Sequence, residues 1–160
     1  MDLGMGQGAS ALTIDRARPE DLPDIVAMFA ADPLGGHDDT DDAAALPRYR
    51  AAFEAIAASP GTDLFVARID GRVAGTYQLI VTHSLAGQGA VRAILEGVQV
   101  APDLRGQGIG AAMVVDAERQ ARARGASTLA LTSNVARLDA HRFYERLGFA
   151  RSHAGFKKRL

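Results

Sequence analysis

The stretch VQVAPDLRGQGIGAAMVV, residues 98–115, places three glycines at alternating positions just after an arginine. Pro102 has no backbone N–H and ends the strand-like run before it, whereas a helical pattern begins near Gly108. The first turn of a helix has unpaired N–H groups and a partial positive charge, and glycines allow an anion to approach them. Arg105 adds a fork of donors suited to phosphate oxygens. The stretch therefore predicts a strand, a phosphate-binding loop suited to pyrophosphate, and a helix.

Three alternative roles for the glycines fit the sequence less well. A P-loop requires Lys-Ser or Lys-Thr after the glycines, and neither pair is present. The dinucleotide fingerprint matches at Gly106, Gly108 and Ala111, but residues 132–134 are Thr-Ser-Asn where an acid is expected about 20 residues later. A turn without a ligand would carry a cost of about 1 kcal/mol for each helical glycine relative to alanine. We therefore favour the phosphate-binding loop.

The apolar pattern along the chain predicts the element order β-α-α-β-β-β-α-β-α-β-β. A meander followed by one βαβ unit implies a mixed sheet covered by helices on both faces, an α/β fold. We expect a single domain over 11–160, preceded by a flexible, glycine-rich leader over 1–10. The predicted strands are 11–17, a hairpin over 63–84 turning at Asp70-Gly71, 90–101, 127–134 and two short strands within 149–160, and the predicted helices are 18–30, 46–59, 108–124 and 136–148.

Bulk composition argues against several classes of function. The 160 residues carry a formal net charge of -1 and only 6% aromatic residues, which argues against a nucleic-acid partner. Cysteine is absent, which excludes disulfides and thiolate chemistry, and the four histidines show no ligand spacing, so we expect no metal. No stretch approaches the roughly 20 apolar residues of a membrane span, and the N-terminus is unlike a signal peptide. We expect a cytoplasmic protein without a membrane partner.

The run R-G-Q-G-I-G at residues 105–110 resembles the R/Q-x-x-G-x-G/A signature of the GNAT superfamily, the acetyl-CoA-dependent N-acetyltransferases. EGVQVAPDLRGQGIGAAM, residues 96–113, is similar to motif A of that family, and AHRFYERLGF, residues 140–149, is similar to its motif B. The predicted element order also resembles the family fold from about Thr13 to the C-terminus. The resemblance implies acetyl-CoA as cosubstrate, and a fold whose fourth and fifth strands splay apart.

The resemblance also implies where the cofactor binds. The pantetheine arm would pair with the backbone of Val98 and Val100 in the gap between the splayed strands, and residues 105–111 would hold the pyrophosphate. Gly97 lies where the family has a β-bulge, although close packing would equally explain a glycine there. Asn134 would contact the pantetheine, unless it caps the following helix. The predicted cofactor-binding residues are Val98, Gln99, Val100, Arg105, Gly106, Gln107, Gly108, Ile109, Gly110, Ala111, Asn134 and Tyr144.

Acetyl transfer to an amine requires a base, a donor for the oxyanion and an acid for the departing thiolate. Glu96 is our candidate base, because a carboxylate is unexpected in an otherwise apolar central strand. Its alternative role is a structural ion pair with Arg92 or Arg68. The resemblance assigns the oxyanion to a backbone N–H near Val98 and the acid role to Tyr144, which would otherwise serve only in packing.

The acceptor site is expected to be bordered by the loop ADPLGGHDDTDD, residues 31–42. Its four clustered aspartates would attract a cationic amine, unless they form only a solvated loop; they are Asp38, Asp39, Asp41 and Asp42. We predict an N-acetyltransferase that moves the acetyl group directly to a primary amine of a small molecule or peptide in a ternary complex. The alternative is a non-catalytic acyl-CoA-binding sensor or regulatory module. A homodimer is expected by analogy with relatives.

Overall fold

The computed structural model describes residues 11–35 and 37–160, and the predicted leader over 1–10 lies outside the described residues. Five strands form one sheet in the order β1-β2-β3-β4-β5. The strands are β1 (Leu12–Arg16), β2 (Thr62–Ile69), β3 (Arg72–His83), β4 (Val91–Val100) and β5 (Thr128–Ala130). The helices are α1 (Leu22–Ala30), α2 (Leu46–Ala58), the single turn α3 (Ala86–Gly89), α4 (Ile109–Ala123) and α5 (Leu138–Arg146). The predicted order of the main elements is confirmed from the first strand to the last helix.

The sheet is mixed, as predicted. β1 to β4 are neighbours in an antiparallel meander, and β5 pairs parallel to β4. Asp70 and Gly71 form the turn between β2 and β3, and both have positive φ angles, 50° and 79°. Such angles match the type I′ turn, whose twist suits a two-residue hairpin connection. The parallel pair needs a crossover connection, and α4 supplies it.

Two apolar clusters lie on opposite faces of the sheet. On β2, Phe65 belongs to one cluster and the adjacent Val66 to the other, because successive strand residues point to opposite faces. The main cluster joins the strands to α4 through Ile109 and Met113, and α5 borders it. The second cluster includes Ile25 of α1. Helices therefore cover both faces, which confirms the predicted architecture.

A buried polar network attaches α4 to β3. The Tyr77 hydroxyl donates a hydrogen bond to Asp116 Oδ2 at 2.6 Å, and Asp116 Oδ1 accepts another from Arg119. The Tyr77 ring is buried and stacks on Phe65, with the ring centroids 4.9 Å apart. Burial and the adjacent carboxylate raise the pKa of Tyr77 well above its ordinary value, so the phenol remains a donor. The network holds the helix that begins at the glycine loop.

The chain after α5 differs from the prediction. The two terminal strands predicted within 149–160 are wrong, because the structure contains no strand in that segment. A strand offsets the entropy of ordering by burying a face or pairing with a neighbour. The large apolar side chains of the segment's second half, Phe156 and Leu160, are both exposed, and Phe156 is 97% exposed. Beyond Phe149, which packs against the main cluster, the segment therefore buries no large apolar side chain.

We expect Tyr77→Phe to lower the free energy of unfolding by about 1–3 kcal/mol, because Asp116 loses a buried donor while the ring packing is kept. Chemical denaturation measures the change. Tyr49→Phe is the matched control, because the Tyr49 hydroxyl also donates to an aspartate, Asp39, at 2.8 Å, but in a half-buried position. Its loss should be smaller. Equal losses in the two variants would contradict the role assigned to the buried network.

Candidate functional site

β4 contains a bulge at Gly97 and Val98, as predicted for this position. Glu96 lies opposite Gln78 on β3, but Gln99 lies opposite Thr76, so the register shifts between the two pairs. Gly97 has φ of 59°, in the left-handed region that suits glycine. A Cβ atom at Gly97 would also lie 3.4 Å from the Phe29 ring of α1. The left-handed backbone conformation therefore favours glycine here, whereas the Phe29 ring lies only at ordinary van der Waals distance from the Cβ position.

A gap opens between β4 and β5 beyond the last pair of their parallel ladder, Ile94 with Ala130. β5 ends at that point, although its sequence pattern predicts a strand to residue 134. Residues 95–100 of β4 remain paired to β3 on their other side. The edge that faces the gap therefore has no neighbouring strand. An extended ligand with its own donors and acceptors could pair there, as a strand does.

The glycine loop presents open backbone at the end of this gap. Gly106 and Gly108 have φ of 77° and 80°, and a Cβ atom built on either would meet nothing within 4 Å. Gly108 is the N-cap residue immediately before α4, and no side chain caps the helix. The first N–H groups of a 15-residue helix are therefore available to an anion. Arg105 is exposed beside them, with Nε donating to the Val100 carbonyl at 3.4 Å.

Gly110 has a different role from the other two glycines. It lies within α4, and a Cβ atom there would stand 3.3 Å from Cζ of Phe143 on α5 and 3.7 Å from Cγ2 of Val100. The missing side chain thus allows α4, α5 and β4 to pack closely. The sequence pattern favours the approach of an anion as the reason for all three glycines, but packing alone explains this one.

Glu96 projects from the face of the sheet that α1 covers. Leu95 and Leu79 belong to the main cluster, so Glu96 and its cross-strand neighbour Gln78 point to the opposite face. The Glu96 side chain is exposed, and none of the ion pairs among the described residues includes it. Arg68, one alternative partner, pairs with Asp21 instead, at 2.6 Å. The carboxylate is therefore accessible from the side of α1.

Tyr144 lies on the other face, at the edge of the main cluster. Its ring makes edge contacts with Phe143 and Phe149, with centroids 5.0 and 5.7 Å away. Phe143 and Tyr144 are both half-buried, and both side chains pack against the main cluster. Burial raises the pKa of Tyr144, and the positive charge of Arg137 opposes this effect. The phenol is therefore protonated at neutral pH, as a proton donor must be.

Asn134 forms the local cap that was the alternative to a ligand role. Its Oδ1 accepts a hydrogen bond from the Ala136 N–H at 2.9 Å, and its backbone carbonyl accepts one from the Arg137 N–H at 3.0 Å. Nε2 of His141 also lies 2.9 Å from that carbonyl. The Asn134 oxygens are thus used within the turn that leads to α5. A contact with a ligand would fall to Nδ2.

The carboxylates of the acidic loop, residues 31–42, differ in their exposure to solvent. Asp39 accepts a hydrogen bond from the Tyr49 hydroxyl, which itself accepts one from the Thr40 N–H at 3.1 Å. Asp38 is exposed and lies 3.9 Å from Arg159. A cavity of about 360 Å³ adjoins this loop, lined by His37, Asp38, Asp39, Thr40, Ala45, Arg48 and Tyr49. The residues that line this cavity include both acidic and basic side chains.

One polar residue of the site is absent from the sequence predictions. Asp32, just after α1, accepts hydrogen bonds from Gln99 on β4 and from Arg137 before α5. Its partners lie 67 and 105 residues away in the chain, so no local pattern indicates the contact.

Metal-binding and membrane-spanning features are both missing from residues 11–35 and 37–160. No group of three or more His, Asp or Glu side chains in these ranges is placed to hold a metal ion. No helix within the same ranges has the length and apolar character needed to cross a membrane.

Comparison with known proteins places this geometry in a family. The profile of the acetyltransferase (GNAT) family matches residues 23–149. The chain is 38% identical over 112 residues to the aminoalkylphosphonate N-acetyltransferase of Salmonella typhimurium, covering 70% of this chain and 72% of the relative. It is 31% identical over 105 residues to the aminoglycoside N(6')-acetyltransferase type 1 of Serratia marcescens, covering 64% of this chain and 72% of that protein.

A solved structure agrees over nearly the whole chain. The crystal structure described as a transcriptional regulator from Bacillus halodurans C-125 superposes with a TM-score of 0.90 at 37% identity, covering 94% of this chain and 100% of that one. Fold, sequence profile and named relatives agree with the resemblance seen in residues 96–113 and 140–149. This chain belongs to the acetyltransferase (GNAT) family, whose members use acetyl-CoA, and it is an acyltransferase.

Proposed function

We propose that this chain transfers the acetyl group of acetyl-CoA directly to a primary amine of a small molecule, within a ternary complex. The observation that carries the proposal is that the part of β4 without a parallel partner leads directly along the chain into the open glycine loop, with Glu96 and Tyr144 on opposite faces of the sheet. A long ligand with a diphosphate at one end and a thioester at the other fits such a path.

The cofactor is assigned to the loop and the edge as follows. The N–H groups of residues 106–111 hold the pyrophosphate, with Arg105 beside them. The backbone of Val98 and Val100 pairs with the amides of the pantetheine, in place of the strand that β5 does not provide. Gln99 lies between these two residues, with its backbone facing Thr76 on β3 and its side chain bound to Asp32.

Glu96 acts as the base in this scheme. It accepts a proton from the acceptor ammonium, directly or through a water molecule, which frees the nitrogen lone pair to attack the thioester carbonyl. A backbone N–H near Val98 donates to the oxyanion as the carbon–nitrogen bond forms. Tyr144 donates its proton to the sulfur as the carbon–sulfur bond breaks, and the nitrogen loses its second proton to water, which yields the neutral amide and free CoA. Solvent then takes the proton from Glu96 and returns one to Tyr144.

The acceptor is assigned to the class of small amines. Two relatives are named for aminoalkylphosphonates and aminoglycosides, which are both amino compounds. Glu96 lies on the face that α1 covers, and the loop that follows α1 carries the aspartates of residues 38–42. We assign to Asp41 and Asp42 the attraction of cationic acceptors, because both are exposed, whereas Asp39 is bound to Tyr49.

The second candidate function is a non-catalytic acyl-CoA-binding module. The observation behind this alternative is the solved structure described as a transcriptional regulator, which superposes over its whole length, whereas the two named relatives are N-acetyltransferases and favour the enzyme. A module of this kind would bind acetyl-CoA without using Glu96 or Tyr144.

For either function we place the protein in the cytoplasm, as a homodimer by analogy with the family.

We expect Gly108→Ala to weaken the binding of acetyl-CoA by at least about tenfold, or ~1.4 kcal/mol, as measured by calorimetric titration. The added Cβ projects into the space in front of the N–H groups. Gly125→Ala is the matched control, because Gly125 has φ of 82° and an equally open Cβ position, but follows the other end of α4. Both substitutions carry the same left-handed backbone cost. No binding by the parent, or equal binding by both variants, would contradict the loop assignment.

We expect Glu96→Gln and Tyr144→Phe each to lower kcat by roughly 10²- to 10⁴-fold, the usual contribution of one acid or base. Affinity for acetyl-CoA should stay nearly unchanged. The measurements are CoA release with a panel of amines, together with calorimetry. Glu54→Gln, which alters an exposed glutamate on α2, is the control and should keep the parental rate. Full activity in either variant would remove that residue's role, and a parent that binds acetyl-CoA but acetylates no amine would favour the second candidate.

We expect the double variant Asp41→Asn, Asp42→Asn to raise KM for a diamine by roughly 3- to 10-fold, because a surface charge interaction contributes about 1 kcal/mol. The KM for an aminoalkylphosphonate, which carries its own negative charge, should not rise. Asp15→Asn removes an exposed aspartate of β1 and is the control. A KM for the diamine that stays at the parental value, at low salt, would show that this loop does not select the acceptor.

A further inference from the structure

Asp32 joins three parts of the chain at the gap between β4 and β5. Its Oδ2 accepts hydrogen bonds from Nε2 of Gln99 at 2.7 Å and from Nη2 of Arg137 at 2.5 Å. Its Oδ1 accepts one from the Leu34 N–H at 3.2 Å. The carboxylate therefore binds the unpaired half of β4, the segment before α5 and the start of the loop between α1 and α2.

The position of these partners shows what the contact spans. Gln99 belongs to the part of β4 that no longer pairs with β5, and Arg137 follows the turn that replaces the rest of β5. α5 borders the main cluster, whereas α1 packs in the second cluster on the other face. The Arg137 side chain thus reaches from the α5 side to the α1 side. Through Asp32, Arg137 therefore connects the segment after β5 to the part of β4 that no longer pairs with β5.

Asp32 and Arg137 form an ion pair that is largely shielded from solvent. The Asp32 side chain is 8% exposed and that of Arg137 is 27% exposed. Burial alone would raise the pKa of Asp32, but the hydrogen bonds from Arg137 and Gln99 outweigh it and lower the pKa. The aspartate is therefore ionised at neutral pH. Removing one partner of such a pair leaves a poorly solvated charge, so the contact holds its geometry strongly.

We propose that Asp32 is a positioning residue for the acyl-CoA thioester: by holding Gln99 and Arg137 together, it sets the width of the gap that receives the pantetheine. The inference rests on the proposed function, because it takes the gap as the pantetheine site. It assigns no contact between Asp32 and the ligand. A cleft held at its working width binds an extended ligand without the cost of closing around it.

The two side chains that Asp32 holds, Gln99 and Arg137, are outside the glycine loop of residues 105–111, and this makes a sharp test available. ADP carries the diphosphate and the adenosine but no pantetheine, whereas CoA carries all three. In the parent protein and in Asp32→Asn, each ligand is titrated by calorimetry. We expect Asp32→Asn to bind CoA about 10- to 100-fold more weakly, because the ligand must then order a gap that is no longer held at its working width. ADP affinity should change less than twofold.

The control is the neighbouring pair on α5. Asp139 pairs with Arg142 within the first turns of α5, and the Asp139 side chain is 97% exposed. Asp139→Asn removes the same type of charge from a pair that lies within one helix and connects no other element. This variant should bind both ligands as the parent does. If Asp32→Asn does not fold by circular dichroism, Arg137→Gln serves for the same comparison, because Arg137 is the more exposed partner.

A double variant tests whether the two residues act as one unit. If they do, Asp32→Asn and Arg137→Gln together should weaken CoA binding about as much as either alone. Parental CoA affinity in the single variants, tighter CoA binding, or equal weakening of ADP and CoA would overturn the proposal. These results differ from a failure of the proposed function, in which the parent itself would not bind acetyl-CoA.

Discussion

Beyond Ile94, β4 loses its parallel neighbour while its antiparallel ladder to β3 continues to Val100. Backbone N–H and C=O groups are costly to leave unpaired away from water, so most proteins pair or cover such an edge. Here the bulge at Gly97 and the early end of β5 leave the edge open at the centre of the fold. A partner that supplies alternating donors and acceptors is the physical complement of this edge.

The gap is held open by contacts on both faces of the sheet. Gly97 receives the Phe29 ring on the α1 face, and Gly110 receives the Phe143 ring on the other face. At Gly110 the missing side chain lets the Phe143 ring approach α4 closely, whereas at Gly97 the Phe29 ring lies in ordinary contact with the Cβ position. The buried Tyr77–Asp116 hydrogen bond adds a polar link between β3 and α4. The helix that offers its N-terminus to an anion is thereby held in a fixed direction.

Local signals in the sequence predicted most of the fold. The Asp70-Gly71 turn, the strand alternation and the Pro102 stop are properties of a few adjacent residues, and the structure confirms each of them. The terminal strands failed because alternation alone does not reveal whether a face will be buried, and Phe156 remains exposed. Gly110 could not be told from Gly108 in the sequence, since its reason is the ring of Phe143, 33 residues away along the chain. Asp32 escaped prediction for the same reason.

The roles proposed for Glu96 as base and Tyr144 as acid agree with their positions on the two faces. Glu96 lies on the α1 face and is exposed, whereas Tyr144 lies on the α5 face and its pKa is raised by burial. With the gap between them, a thioester carbonyl in that gap would present one side to an amine from the α1 face and its sulfur to the phenol. The same separation explains why one residue can be solvated and the other half-buried: a base must release its proton to water, whereas an acid must keep its proton until the sulfur takes it.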